Sequence, residues 1–460
     1  MQPKIICFTP ENSTRLTYIL NIIFKDILKL DLLIIENIDA FLVHYQENKT
    51  NYTFYCYIAQ DEIFQLKKYH TPFFKIDKFL LEKTINRHLD MKIGDWQAYK
   101  VGFYFGKGSS AIFPFDLFAW SFYLLSRYEE YTNEKRDIHQ RFSAKESIAY
   151  QYDFLHLPMI NILAQSLGDF IYKSLDLALP NYSQNYQFQA SYDIDYMFAF
   201  SAKGWKRQIA ALVKNALQLD FAQIIFKIKV FLGKAKDPFN TFDYIDQQHK
   251  NYQNKPAFQK PIYFMLIGNW GPYDKNIDWK KRDYQTILNK IAAQYTVGLH
   301  PSYQSNYLAL EQGLLMEQKR LAHFIVAPYN SRQHFLKLNF PQTYQNLLKA
   351  NMQADYSMGY ADALGFRASI ATPFYWYDLS KEEITHLKVY PFAIMDVTLK
   401  NYLKLSPEAA KAEILKYINI YKSNGGLFIP LWHNSSLGDW EGWGKEWRAV
   451  YEYLFEKGLD

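Results

Sequence analysis

At 460 residues the chain is too long for one ordinary hydrophobic core, so two or three domains are expected. An apolar fraction of 49% with 21% charged residues excludes wholesale disorder, and two cysteines, Cys7 and Cys56, exclude a disulfide framework or a cysteine-based metal site. The net charge of +6 is local: residues 202–236 hold eight Lys/Arg against one acid, Asp220, leaving 44 basic and 45 acidic residues elsewhere, so no nucleic-acid partner is expected. The first residues lack a signal peptide's basic end and long apolar core, and no run reaches the roughly 18 apolar residues of a membrane span. A cytoplasmic protein is the expectation.

In chain order, residues 3–9 read as a strand, 12–29 as a helix capped by Asn12 or Ser13, and 31–36 as a second strand. Short aromatic strands and a helix near 77–88 are expected within 51–106. Phe105-Gly-Lys-Gly-Ser-Ser110 lacks the spacing of a phosphate-binding motif and reads as a turn. Apolar positions recur at three and four over 113–131, predicting a core-packing helix. The polar stretch 180–185 marks a boundary, giving an α/β domain over 1–180 and a second over 181–460. Residues 202–236 read as two helices within an insertion at about 202–250. Their apolar face suits packing on the protein itself, with an interfacial membrane helix as the alternative.

Strands and helices then alternate. Strands are expected at 261–267, 295–300, 323–328 and 425–433, with a further apolar run ending at Met395-Asp396. Helices are expected at 281–294, 308–320, 340–350 and 407–423. Such alternation implies a mostly parallel sheet or barrel, with active groups at the carboxyl ends of its strands.

Those ends carry the chemistry. Gln-Phe-Gln-Ala-Ser-Tyr-Asp-Ile-Asp, residues 187–195, closes a strand-forming run with Asp193 and Asp195. A spacing of two puts both carboxylates on one side of an extended chain. Two like charges so close call for a cation between them or a proton on one, which suggests a metal site or an acid/base pair. A helix cap or an Asx-turn is the plainer alternative. His300 ends a later strand, Arg332 and His334 follow the next, and His433 ends the last. Imidazole and carboxylate together suit zinc or a similar divalent ion.

This set resembles the NodB-like polysaccharide deacetylases, carbohydrate esterase family four, which remove acetyl groups from N-acetylated sugars in glycans. The motifs that carry the resemblance are Ser191-Tyr-Asp-Ile-Asp195, His300-Pro-Ser-Tyr-Gln304, Ser331-Arg-Gln-His334 and Pro430-Leu-Trp-His433. It spans roughly 185–440 and is nearest to a subgroup with an extra N-terminal domain of unknown role, including Phe115-Asp-Leu-Phe-Ala119. The resemblance implies a distorted (β/α) barrel preceded by a separate α/β domain, an N-acetylated glycan as substrate, and a divalent metal, zinc first, as cofactor. By this likeness Asp195, His300 and His334 are the metal ligands. Gln304 stands where the family has a second histidine, and His334 is expected to fill that place. Asp193 is the expected base, Arg332 its orienting partner and His433 the acid, with Asp396 preferred over Asp355 as the carboxylate behind it. Trp432, Trp270 and Tyr303 are candidate sugar-stacking groups. A cytoplasmic, lipid-linked glycan precursor would bring the basic residues 202–236 to a membrane surface. The alternatives are a catalytically degenerate glycan-binding or scaffolding module, an Asp-x-Asp phosphatase of the haloacid-dehalogenase type, and an Asp-x-Asp glycosyltransferase.

Overall fold

The computed structural model describes residues 3–9, 12–36, 53–57, 117–201 and 221–460. The helix near 77–88, the Phe105–Ser110 turn and the first half of the basic stretch, 202–220, lie outside these residues.

The chain opens with β1 (Lys4–Phe8), in parallel register between β2 (Asp31–Ile35) and β3 (Thr53–Tyr57). Ser13 caps the helix Thr14–Leu20 by accepting the N–H of Leu16, and the expected single helix continues as a π-helical turn, Asn21–Ile27. Helix Leu117–Leu125 is buried on every side, so the periodicity read over 113–131 reflects a core element. It does not run through to 131. Arg127 takes a left-handed φ of 56° before the short helix Tyr128–Thr132, because its buried guanidinium reaches Glu129, Glu130 and the Tyr360 hydroxyl. Glu130 also pairs with buried Arg367, which ties this segment to the second half of the chain. Backbone bonds from Ile160 to Ser369 and from Phe366 to Leu155, both 2.9 Å, reinforce the tie.

A two-stranded parallel pair joins β4 (Tyr186–Phe188) to β12 (Gly426–Phe428). Among the described residues the main sheet has eight strands: β5 (Ser191–Ile194), β6 (Ile262–Met265), β7 (Thr296–Leu299), β8 (Asn330–Ser331), β9 (Ala354–Asp355), β10 (Phe374–Asp378), β11 (Glu383–Val389) and β13 (Leu431–His433). Their order is β10-β11-β9-β8-β7-β6-β5-β13, parallel throughout except for the β10–β11 hairpin. The strands β5 and β6 are buried at every position, as expected of a parallel sheet covered on both faces. No ladder among the described residues joins β10 to β13, so the architecture is a mixed α/β sheet.

Two expectations shift. The strand expected at 323–328 is not there: Pro328 cannot donate to a ladder, Val326 is fully exposed, and pairing begins instead at Asn330. The run ending at Met395-Asp396 forms only an isolated bridge, Met395 to Leu431. Helix Phe221–Phe231 lies in the second half of the basic stretch and stacks Phe226 on Trp440 at 5.9 Å. Its base is closed by Asp237, whose carboxylate accepts the backbone N–H groups of Ala199, Phe200 and Ser201, each at 2.8 Å. Among the described residues no helix is long and apolar enough to cross a membrane.

Candidate metal centre

Parallel register builds the site. β13 pairs with β5 so that His433 lies opposite Asp193, and β7 pairs with β8 through Leu299 and Ser331, which places His300 and Arg332 one residue beyond matching strand ends. Asp193, Asp195, His300, Arg332, His334, Asp396 and His433 thereby meet at one carboxyl-end edge of the sheet.

Asp195 is the hub. Its Oδ1 lies 3.1 Å from His300 Nε2, and its Oδ2 lies 3.6 Å from both His334 Nε2 and His433 Nε2. One donor atom each from Asp195, His300 and His334 falls within a 4.8 Å group. Behind them each imidazole is oriented. His300 Nδ1 donates to the Arg332 carbonyl at 2.5 Å, and His334 Nδ1 donates to Asp274 Oδ1 at 2.9 Å. Protons on those Nδ1 atoms leave neutral Nε2 lone pairs aimed at a carboxylate. Lone pair facing lone pair is repulsive unless a proton or a cation lies between them. Consistent with that, Asp195 Oδ1 is buried and has no hydrogen-bond partner among the described residues.

The electrostatics agree. Burial alone would lower the His334 pKa, but the Asp195 and Asp274 carboxylates outweigh it and push it up to about 9. Burial likewise disfavours the ionised form of Asp195, yet His334, His300 and His433 hold its pKa well below the usual carboxylate range. The pocket thus favours positive charge at the place a divalent ion would take. Carboxylate plus two imidazoles, with partners orienting the rings from behind, is a donor set that fits zinc.

Two further pairs flank this group. Arg332 is fully buried and donates to Asp193 Oδ1 (3.0 Å), Ser191 Oγ (3.0 Å) and the Tyr356 carbonyl (2.9 Å). His433 Nδ1 donates to Asp396 Oδ1 at 2.8 Å, and the His433 backbone N–H meets the other oxygen of that carboxylate. Burial would lower His433, but Asp396 above all, with Asp195 and Asp193, pushes it up to about 10. Asp355 is instead engaged by Ser331, Ser357 and Tyr344 and does not face His433.

Gln304 is exposed, and its backbone N–H binds Asp274; its side chain is not part of the donor group. Of the three aromatic candidates Trp432 is buried in the core and Tyr303 is nearly so, whereas Trp270 is half exposed. Asp274 is the site residue that sequence reasoning misses. It holds His334 from the loop after β6 and also accepts the Tyr303 and Gln304 N–H groups. Its signal is weak: a lone aspartate in a polar loop looks like a turn former.

Residues 5–175 match the model of a family of unknown function, DUF7033. No curated protein matches the chain. Among solved structures, a candidate polysaccharide deacetylase from Mycobacterium smegmatis aligns at 10% identity and a TM-score of 0.36, over 59% of this chain and 83% of that one. A candidate polysaccharide deacetylase involved in O-antigen biosynthesis from Bordetella bronchiseptica aligns at 10% identity and a TM-score of 0.28, over 54% and 72%. Likenesses this faint carry no weight for the chemistry of the site.

Proposed function

We propose that the protein is a metal-dependent hydrolase that removes N-acetyl groups from a sugar or glycan. One observation carries the reading: the Asp195 carboxylate faces His300 Nε2 through Oδ1 at 3.1 Å and His334 Nε2 through Oδ2 at 3.6 Å, and the other nitrogen of each ring is already committed. These three residues would hold zinc, which would supply Lewis-acid activation of an amide carbonyl and of water. Asp193, kept in place by Arg332, accepts a proton from the attacking water. His433, protonated through its bond to Asp396, gives a proton to the departing amine. An acid on one side and a base on the other, about a common carboxylate hub, suit amide hydrolysis. They do not suit an Asp-x-Asp phosphatase, which gives the three histidines no task.

The NodB-type distorted barrel and the glycan substrate belong to the same proposal, as does a cytoplasmic site of action. Membrane contact through 202–236 has its own support. In the described half of this stretch Ile225, Ile228, Phe231 and Leu232 point outward, 44–69% exposed, beside exposed Lys229 and Lys234. Apolar groups rimmed by lysines suit an anionic lipid surface. Flotation with anionic liposomes tests this part; protein that stays at the bottom of the gradient removes it.

Purified protein, loaded with zinc, is assayed for acetate release from N-acetylated oligosaccharides. Release that depends on zinc supports the reading. Clearly substoichiometric zinc binding, with no release, would replace it with a non-catalytic glycan-binding module.

A further inference from the structure

We infer that Arg141, in the region matched to the family of unknown function, is a positioning residue of the metal centre, acting through the backbone of Phe335. The inference rests on the metal reading above and assigns the loop 137–141 a part in the site.

Two consecutive residues after His334, Phe335 and Leu336, take left-handed backbone conformations, with φ of 59° and 52°. Neither is glycine, asparagine or aspartate, so both are held against their own preference by what surrounds them. Tyr273 and Tyr303 pack on the Phe335 ring at 5.5 and 5.3 Å, and the N-terminal half supplies the rest of the hold. Arg141 Nη1 donates to the Phe335 carbonyl at 3.0 Å. Arg141 is itself 8% exposed and fixed from behind: its Nε donates to Asp137 Oδ2 at 2.8 Å and its Nη2 to the Tyr402 hydroxyl at 3.3 Å. From the same loop the His139 ring packs on the Phe335 ring at 4.9 Å, and Phe335 meets the His334 ring edge-to-face at 4.7 Å.

Asp137, Arg141, Phe335 and His334 therefore form one line of contacts that runs into the donor group. Asp274 sets the rotation of the His334 ring, whereas Arg141 sets the backbone from which that ring projects. Relaxation of Phe335 to a right-handed conformation would redirect the chain on both sides of it and draw His334 Nε2 away from Asp195. A loop that only plugged a surface would hide its apolar tip, yet Ile138 at the tip is 88% exposed. What the loop turns inward is His139 and Arg141.

The test compares wild type with Arg141→Ala and Arg141→Lys. Zinc affinity is measured by competition with a chromophoric chelator, and Tm is measured with excess zinc and with excess chelator. Arg141→Ala is expected to bind zinc about tenfold more weakly or worse, as for other residues that orient metal ligands from outside the donor set. The rise in Tm on adding zinc should shrink with it, and the lysine, which keeps one donor, should recover part of both. Wild-type zinc affinity in Arg141→Ala, with Tm lowered equally in zinc and in chelator, would reduce Arg141 to a packing residue and overturn the inference. Should Arg141→Ala fail to fold, Arg141→Met, which fills the same space without a donor, is read by the same two outcomes. Absence of any zinc response in the wild type is a separate result, and it strikes the metal reading itself.

Discussion

Asp274 holds His334 across 60 residues of chain, with Oδ1 accepting from Nδ1 at 2.9 Å in a buried setting. The same carboxylate accepts the backbone N–H groups of Tyr303 and Gln304, so it locks the loop after His300 as well as the ring of His334. Asp274→Ala should weaken zinc binding by roughly 10- to 100-fold. Chelator competition on the purified variant checks this, and an unchanged affinity would mean that the His334 ring is held by packing alone.

Asp193 lies 3.8 Å from His300 Nε2, outside the donor group, and its nearer partner is Arg332. Asp193→Asn is therefore expected to cost at least about 100-fold in turnover while zinc content stays at the wild-type level. Arg332 keeps its bonds to Ser191 and Tyr356, so the variant should fold. Zinc analysis beside acetate release reads both halves of this expectation.

His433 is pushed up to about 10, burial being outweighed chiefly by Asp396. A histidine raised in the folded state contributes stability that is fully present below about pH 6.5 and is lost as pH climbs through its folded pKa. Replacing Asp396 by Asn withdraws that support. The alkaline limb of the pH–rate profile should then move down by roughly 1–3 units, and the stability difference from wild type should be largest near pH 6.5 and shrink as pH climbs toward about 10. A profile that keeps its alkaline limb would deny His433 the acid role.

Glu317 has no place in the proposed chemistry, yet burial pushes it up to about 7 despite two bonds from Ser302. A carboxyl raised in this way favours the folded state while protonated. Its contribution is fully present below about pH 4.5 and is lost as pH rises through about 7. Glu317→Gln keeps the shape and the bonding of the protonated form. Its Tm should match wild type near pH 5 and exceed it by a few degrees at pH 8, a difference that thermal melts at the two pH values resolve.

Much of the site is legible because strand ends are legible. The period-two spacing of Asp193 and Asp195, and histidines closing βα repeats, need only local pattern to be seen. Arg332 and His334 also stand out as lying beyond a strand exit, although the strand itself is read several residues too early. The apolar run before Pro328 has strand composition but cannot complete a ladder there. Asp274 and Arg141 are not legible, since their roles exist only through partners far away in sequence. The left-handed break at Arg127 is hidden for the same reason: no glycine marks it, and buried carboxylates impose it. The β10–β11 hairpin, rich in aromatic and β-branched residues, carries a signal that the βα alternation masks.

The ion cluster of Arg127, Glu130 and Arg367 has a bearing on how the molecule can be divided. All three side chains are essentially inaccessible to water, and the pairing joins residues 237 positions apart. Cutting the chain near 180 would leave Arg367 in one fragment without its carboxylate, while Glu130 in the other would lose one of its two arginines and keep only Arg127. Stranding a buried ion costs about 3–5 kcal/mol, a large share of what an ordinary protein has to spare. Neither piece should survive alone, and the intact chain should melt in a single cooperative step.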